Sequence, residues 1–316
     1  MHNRFSRVSL SLSALAAAAV LLASPLPSYA LTQEAIPTQP QSQDQAPAPI
    51  QNSQPAATLF PAQPIASLSP YQLLPNSIPD LEERYLAWGE ANPQLSAEQV
   101  VLAVNIGLDK AYYEDTDVVA QPDSLTVLVN KYHALPQDYI PQLETLGSPY
   151  GSGSLRPEAA AAFRAMADAA RADGISLRSV SAYRSYQRQE SVYNRYLRQD
   201  TQASVDSYSA RPGFSEHQTA LALDINVASL SAHFENTPAY AWLVEHCADY
   251  GFILRYPQGK EDITGYRFEP WHYRYVGTEI AKACMEQDLT FEEYLAQQPT
   301  KQDLPQTGPV EGLPWV

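Results

Sequence analysis

A proline- and glutamine-rich segment near the N-terminus limits how much of this chain can fold. Residues 31–79 are dense in Pro, Gln, Ser and Ala and hold few large apolar side chains. Such a segment cannot bury enough apolar surface to offset the entropy lost on ordering, so we predict a disordered linker there. Folded structure is therefore expected to begin near Asp80 of this 316-residue chain.

The residues before this linker have the order of features found in secretory signals. Arg4 and Arg7 precede an apolar run from Val8 to Ala23, and a small-x-small triplet ends at Ala30. The run is shorter than the roughly 18 to 20 residues that span a bilayer, which favours cleavage over retention as an anchor. We predict a signal peptide over residues 1–30, export to the periplasm or the extracellular cell wall, and no stable membrane span after cleavage. An uncleaved anchor is the alternative.

The acidic balance of the chain restricts its partners. A net charge of −15 argues against nucleic acid, since proteins that bind it use basic surfaces to neutralise phosphates. An anionic wall polymer would also be repelled at long range, so a wall substrate would need a local binding site. The expected substrate is therefore small or locally recognised, and we expect a monomer.

Two short features of the sequence leave alternatives open. Cys247 and Cys284 are the only cysteines, and in an oxidising compartment they could pair or remain free thiols. Residues 304–308 read Leu-Pro-Gln-Thr-Gly, which resembles a sortase anchoring signal, but no apolar segment or basic end follows. We therefore interpret residues 297–316 as a disordered tail.

The rest of the chain predicts one catalytic domain of the α+β class preceded by a small helical segment. Residues 80–116 are aromatic and helical in pattern, with a capping box predicted from Ser96 and Gln99. In residues 117–296, Pro157 and Gly174 bracket an Ala-rich amphipathic helix. Helices before and after short strands favour a small antiparallel sheet flanked by helices. Further helices are predicted at 189–197 and 238–250, and strands at 124–130, 175–182, 219–226, 252–256 and 266–276.

One predicted strand carries a carboxylate on its polar face. Leu221, Leu223 and Ile225 alternate with smaller or polar residues. Because successive side chains of a strand point to opposite faces, Asp224 projects away from the large apolar residues.

Three segments concentrate polar residues that a folded core does not need: 181–189, 215–224 and 269–272. A catalytic zinc site needs three nitrogen or oxygen ligands and an open position for water. His217, Asp224 and His272 supply such a set, for one zinc ion per chain. Glu269, three residues before His272, suits the general base that takes a proton from water.

Aromatic residues in the same segments have two interpretations. Tyr183, Tyr186, Trp271 and Tyr273 either line a substrate pocket, as we predict for Tyr183 and Trp271, or belong to the core. The sequence leaves both open.

The three segments resemble the VanY-type D-alanyl-D-alanine carboxypeptidases, within the wider lysostaphin, D,D-carboxypeptidase and hedgehog fold group. The motifs are Tyr-Arg-Ser-x-x-x-Gln, Ser-Glu-His-Gln-Thr-(small)-x-Ala-x-Asp and Glu-Pro-Trp-His, in the family's order, and the likeness extends over residues 124–276. The resemblance implies the same three zinc ligands and Glu269 as base. It also implies that Arg184 stabilises the oxyanion, that Ser215 contacts the substrate's terminal carboxylate, and that Gln189 belongs to the binding site. Ala220 stands where the family usually has glycine.

The resemblance implies peptidoglycan stem peptides as substrate. Our leading hypothesis is a zinc D,D-carboxypeptidase that removes the terminal D-alanine, and an L,D-carboxypeptidase or a peptidoglycan endopeptidase could use the same site. A non-catalytic wall-binding module is the hypothesis from another class. A degenerate site would be expected to lose Glu269 or Arg184, so their presence favours catalysis.

Overall fold

A computed structural model describes residues 69–227 and 231–299 of the chain. Within these ranges the α-helices are α1 Glu82–Ala91, α2 Ala97–Ile106, α3 Pro157–Ala172, α4 Tyr186–Leu197, α5 Gln202–Asp206, α6 Pro238–His246, α7 Glu261–Thr264, α8 Thr278–Glu286 and α9 Phe291–Ala296. The strands are β1 Asp117–Val118, β2 His133–Ala134, β3 Glu144–Thr145, β4 Ser154–Leu155, β5 Arg178–Ser181, β6 Ala222–Asn226, β7 Phe252–Leu254 and β8 His272–Tyr275. The 3-10 helices are Pro79–Leu81, Glu216–Thr219, Phe234–Asn236 and Cys247–Tyr250.

Several predicted segments lie outside these ranges. They are the signal peptide over 1–30, the linker up to residue 68 and the tail from residue 300, including the Leu-Pro-Gln-Thr-Gly pentapeptide. In the part of the chain that is described, no helix is both long enough and apolar enough to cross a membrane.

The central sheet has four strands in the order β5-β6-β8-β7, and every neighbouring pair is antiparallel. Two short pairs, β1 with β2 and β3 with β4, lie apart from it. Helices precede and follow the central strands along the chain. The prediction of an α+β domain with a small antiparallel sheet flanked by helices is therefore confirmed.

The core lies between the sheet and α3. Pro157 occupies the first turn of α3, and Gly174 follows its end with a left-handed φ of 79°, as the proline and glycine positions predict. Leu221, Leu223 and Ile225 are fully buried on the apolar face of β6. They share one cluster with the buried side of α3: Phe163, Met166, Ala167 and Ala170.

The prediction of a strand over residues 124–130 is wrong. These residues form turns and irregular backbone, although Val127 and Val129 are buried. The carbonyl oxygens of Leu125 and Val127 accept hydrogen bonds from Nη2 of Arg274, at 3.0 and 2.9 Å. The buried guanidinium of Arg274 thus donates the hydrogen bonds that a neighbouring strand would otherwise donate to these carbonyl oxygens. The strands predicted at 175–182 and 266–276 form, but only over 178–181 and 272–275.

The N-terminal helices pack through a small cluster of their own. The capping box at the start of α2 is present, with Gln99 N at 3.3 Å from Ser96 Oγ and Ser96 N at 2.9 Å from Gln99 Oε1. Tyr71 and Leu74 pack against the buried residues of α1 and α2. Packed structure therefore begins before the predicted boundary at Asp80, because the end of the proline-rich segment supplies apolar side chains.

Both cysteines are free thiols. Cys247 and Cys284 are buried and unpaired. They belong to two different apolar clusters. Of the two alternatives left open by the sequence, a disulfide or free thiols, the structure shows free thiols.

Candidate metal centre and active-site cleft

The register of the central sheet brings a carboxylate and an imidazole together. Asp224 on β6 lies directly opposite His272 on β8. Side chains at opposed positions of an antiparallel pair share a face of the sheet. His272 Nδ1 is accordingly 3.1 Å from Asp224 Oδ1.

A second imidazole reaches the same place from the 3-10 helix that precedes β6. Arg184 N donates to His217 O at 3.0 Å, and His217 Nδ1 lies 2.7 Å from the carbonyl oxygen of Ala182. Because a carbonyl can only accept, Nδ1 carries the proton and Nε2 keeps its lone pair. His217 Nε2 lies 3.5 Å from Asp224 Oδ2, which leaves it available as a metal ligand.

These three side chains form a donor set that fits zinc. His217, Asp224 and His272 each offer one ligand atom, and these atoms all lie within 4.8 Å of one another. Two imidazole nitrogens and one carboxylate oxygen, at the edge of a cleft, match the composition of catalytic zinc sites.

Burial and close contact set the protonation of this cluster. Burial alone would lower the pKa of His272, but its hydrogen bond with Asp224 and the nearby carboxylate of Glu216 outweigh that effect and raise the pKa to about 9. Burial alone would raise the pKa of Asp224, but the charges of the two histidines and the hydrogen bond with His272 hold it well below its usual range. Burial lowers the pKa of His217. Asp224 is therefore ionised at neutral pH, as a ligand must be.

Glu269 borders the centre on the side of His272. The turn from Glu269 to His272 is closed by a hydrogen bond from His272 N to Glu269 O at 3.1 Å. Its Oε2 lies 3.9 Å from His272 Nδ1, with 13% of the side chain exposed. Burial raises the pKa of Glu269 to about 7, and the positive charge of His272 opposes part of that rise. A carboxyl group with such a pKa can take up and release a proton near neutral pH.

Arg184 is fixed beside the candidate metal centre. Its Nη1 donates to Gln189 Oε1 at 2.8 Å and its Nη2 donates to Ser181 Oγ at 2.9 Å. Nη2 also lies 3.9 Å from Asp224 Oδ2. Gln189 is 1% exposed and is itself held by Ala210 O at 2.6 Å from Nε2. Gln189 thus hydrogen-bonds with Arg184, the backbone of Ala210 and the hydroxyl of Ser209, and its contact with substrate stays a prediction.

The other predicted pocket residues divide between cleft and core. A cleft of about 710 Å³ is lined by Tyr183, Ser215 and Trp271 together with the metal-centre residues. Trp271 is 38% exposed. Tyr273 lies in the main core, and Tyr186 does not line the cleft.

A buried ionic network behind His272 was not predicted. Glu216 Oε1 accepts from Arg255 Nε at 2.8 Å and from Arg274 Nη1 at 2.9 Å. Arg255 also forms a bidentate pair with Glu292, at 2.8 and 2.6 Å. The second oxygen of Glu216 lies 3.5 Å from His272 Nε2. Through this contact the network supports the outer nitrogen of His272.

Sequence signals for the network exist but are weak. Glu216 adjoins His217, and Arg274 lies two residues after His272 on the same face of β8. Charged residues are mostly exposed, so an alternating pattern alone does not predict that these are buried.

Ala220 ends the 3-10 helix in a left-handed conformation, with a φ of 55°. Residues other than glycine pay roughly 1 to 2 kcal/mol for this conformation. The backbone at residue 220 therefore has the positive φ that glycine adopts freely, and in this chain a fully buried alanine adopts it.

Comparison with known proteins identifies the family. Residues 152–278 match the family model described as VanY, D-alanyl-D-alanine carboxypeptidase. VanXYC of Enterococcus gallinarum, named as a bifunctional D-Ala-D-Ala dipeptidase and carboxypeptidase, is 34% identical over 177 residues, which cover 53% of this chain and 91% of that protein. The chain belongs to the VanY family.

Other relatives cover a similar part of the chain. YodJ of Bacillus subtilis is 39% identical over 204 residues, which cover 59% of this chain and 75% of that protein. A solved structure of LdcB, described as an LD-carboxypeptidase, is 39% identical and superimposes with a TM-score of 0.55. It covers 58% of this chain and 91% of its own.

Proposed function

We propose that this protein is an exported, zinc-dependent D,D-carboxypeptidase that removes the terminal D-alanine from peptidoglycan stem peptides. The observation that carries the proposal is the placement of Glu269 and Arg184 beside the His217, Asp224 and His272 donor set, in one cleft. Membership of the VanY family supports the reaction class.

Each residue of the centre has a distinct task in this proposal. His217, Asp224 and His272 would hold zinc, which when bound polarises a carbonyl group and lowers the pKa of water. Glu269 accepts a proton from the attacking water and returns it to the leaving amine. Arg184, held in place by Gln189 and Ser181, stabilises the negative charge that develops on the scissile oxygen.

The remaining cleft residues bind substrate. Ser215 lines the cleft, is 5% exposed and would donate a hydrogen bond to the terminal carboxylate of the peptide. Tyr183 and Trp271 would contact the peptide through their rings.

An L,D-carboxypeptidase is the second candidate, and the likeness to LdcB supports it. The centre does not favour one scissile bond over the other, because zinc, a base and an arginine serve either amide. The choice depends on how the cleft walls fit the residues on either side of that bond.

The experiment is mass spectrometry of purified muropeptides incubated with the full chain, with zinc or with a chelator. We expect the pentapeptide to lose one alanine in a chelator-sensitive reaction. Loss of alanine from the tetrapeptide alone would establish the L,D alternative, and cleavage of cross-linked dimers would establish an endopeptidase. No reaction with any substrate would refute catalysis and favour a wall-binding module.

A further inference from the structure

The cleft extends beyond the metal centre into an arm lined by arginine. Arg188 and Arg195 on α4 and Arg267 on the opposite loop line this part of the cleft, and we call these three residues the arginine arm. All three side chains are exposed. In the described part of the chain none of them forms a salt bridge, so their charges are available to a ligand.

The charge of the arm contrasts with the rest of the molecule. The chain has 20 basic and 35 acidic residues, yet the acidic residues lining the cleft are confined to the metal centre and its support: Glu216, Asp224 and Glu269. Asp200 lies nearby, 3.5 Å from the hydroxyl of Tyr208, but does not line the cleft. The arm is therefore a positively charged subsite on an acidic protein.

Helix α4 sets the length of the arm. Its N-cap residue, Ser185, directly follows Arg184 at the proposed reaction centre. Arg188 and Arg195 are seven residues apart on one face, which corresponds to about 10 Å along the helix axis. An extended peptide covers that distance with about three residues. The arm thus fits the part of a substrate that precedes the scissile bond.

Two tyrosines hold the far end of the arm in position. Arg195 lies over the ring of Tyr196 at 5.2 Å, and Arg267 lies over the ring of Tyr208 at 5.4 Å. The two rings contact each other edge to face at 5.3 Å. In the described part of the chain, the guanidinium groups of Arg195 and Arg267 lie over aromatic faces, and the one hydrogen bond they form runs from Arg267 Nη2 to Ser204 Oγ at 3.5 Å. Their other N–H groups can therefore take part in planar, bidentate recognition of a carboxylate.

We propose that the arginine arm binds a carboxylate carried by the second or third residue of the stem peptide. This inference rests on the proposed function. Two carboxylates have this chemistry: the free α-carboxylate of a γ-linked glutamate at position two, and the extra carboxylate of a diaminopimelate at position three. Lysine at position three carries the same ammonium group as diaminopimelate but lacks that carboxylate.

The test uses four pentapeptides that share a D-Ala-D-Ala end. Position two is glutamate or its amide, and position three is diaminopimelate or lysine. The full chain is compared with a variant carrying Arg188→Gln, Arg195→Gln and Arg267→Gln. Arg198→Gln is the matched control, because Arg198 is also exposed at the end of α4 but does not line the cleft.

We expect removal of the recognised carboxylate to lower kcat/KM of the wild type by roughly tenfold, mainly through KM, because the contact is remote from the reacting amide. The triple variant should show the same loss with the carboxylate peptide and no further loss with the peptide that lacks the recognised carboxylate, since the two changes remove one interaction. The position at which loss of the carboxylate lowers kcat/KM identifies which carboxylate is bound. Arg198→Gln should match the wild type.

Equal kcat/KM for all four peptides, in wild type and triple variant alike, would overturn the inference and leave the proposed function standing. A triple variant that is uniformly slower with all four peptides, while the wild type does not distinguish them, would also overturn the inference, because the arm would then bind only the terminal carboxylate that all four share. If the wild type hydrolyses none of the peptides, the proposed function fails. Calorimetric binding of the same peptides then decides: tighter binding of the carboxylate form, lost in the triple variant, supports the arm, and equal binding refutes it.

Discussion

Replacing Glu216 with glutamine tests whether the buried network holds the fold together behind the metal centre. The network contains two arginines and two glutamates, all at most 1% exposed in their side chains, so its formal charges cancel. Glu216→Gln keeps the shape of the side chain and one acceptor oxygen, but leaves one positive charge without a counterion. Arg255 retains the carboxylate of Glu292, whereas Arg274 keeps no carboxylate partner, only the amide oxygen at position 216 and backbone carbonyls.

The expected loss in the free energy of unfolding is large, although the substitution only replaces one carboxylate oxygen with an amide group. Removing one partner of a buried ion pair costs about 3 to 5 kcal/mol, because the remaining charge is buried and unpaired. For a folded part of this size each kcal/mol lowers Tm by about 2 to 4 °C, so Tm should fall by about 6 to 20 °C. Asp249→Asn is the exposed control, since Asp249 and Lys282 are 59% and 52% exposed, and it should cost less than about 1 kcal/mol.

The assay is urea unfolding of chelator-treated protein, followed by the fluorescence of its four tryptophans and extrapolated linearly to water. Glu292→Gln is the second matched variant, because it also leaves one unpaired charge but does not contact His272. Both variants should lose stability, but Glu216→Gln should in addition bind zinc about 10- to 100-fold more weakly. A Glu216→Gln protein within about 1 kcal/mol of wild type would refute the assignment of this network.

Three further changes probe the centre and its surroundings. Glu269→Gln should lower kcat by at least about a hundredfold while zinc content by elemental analysis stays unchanged, and near-normal turnover would remove Glu269 from the reaction. Asp224→Ala should lose zinc, so an unchanged zinc stoichiometry would contradict the ligand assignment. Burial alone would raise the pKa of Asp206, but hydrogen bonds from Arg211 and Tyr193 outweigh it and lower the pKa. Asp206 therefore stabilises the fold above its ordinary pKa of about 4, and this contribution is lost as the pH falls through the lowered value. The free energy of unfolding of Asp206→Asn, measured with urea, should be lower than that of the wild type at pH 7, and the difference should narrow near pH 3. A difference that does not change with pH would exclude this linkage.

Local sequence patterns predicted the parts of the fold that local physics determines. Helix α3 was predicted because proline, glycine and a period of apolar residues all agree on its limits. The orientation of Asp224 followed from alternation in β6, whose large apolar residues lie on one face. These patterns act within a few residues of each other, so one sequence is enough to detect them.

Long-range contacts account for what the sequence did not predict. Residues 124–130 have the apolar, β-branched composition of a strand, but Arg274, far along the chain, satisfies their carbonyls. The charge network behind His272 brings Glu216 and Glu292 together from distant segments. Burial of a charge depends on its partner, which no local window contains. The charge of the arginine arm likewise becomes visible only once α4 and the loop carrying Arg267 face one cleft.

The two free thiols can serve as probes of how often each apolar cluster opens. Cys247 lies in the main core at 2% exposure and Cys284 in the C-terminal cluster at 3%. Burial raises the pKa of Cys247 to about 12 and that of Cys284 to about 11, so neither reacts as a thiolate while it stays enclosed. Each cysteine can therefore be alkylated only when the apolar cluster that encloses it opens. The two alkylation rates show whether the two clusters open independently of each other.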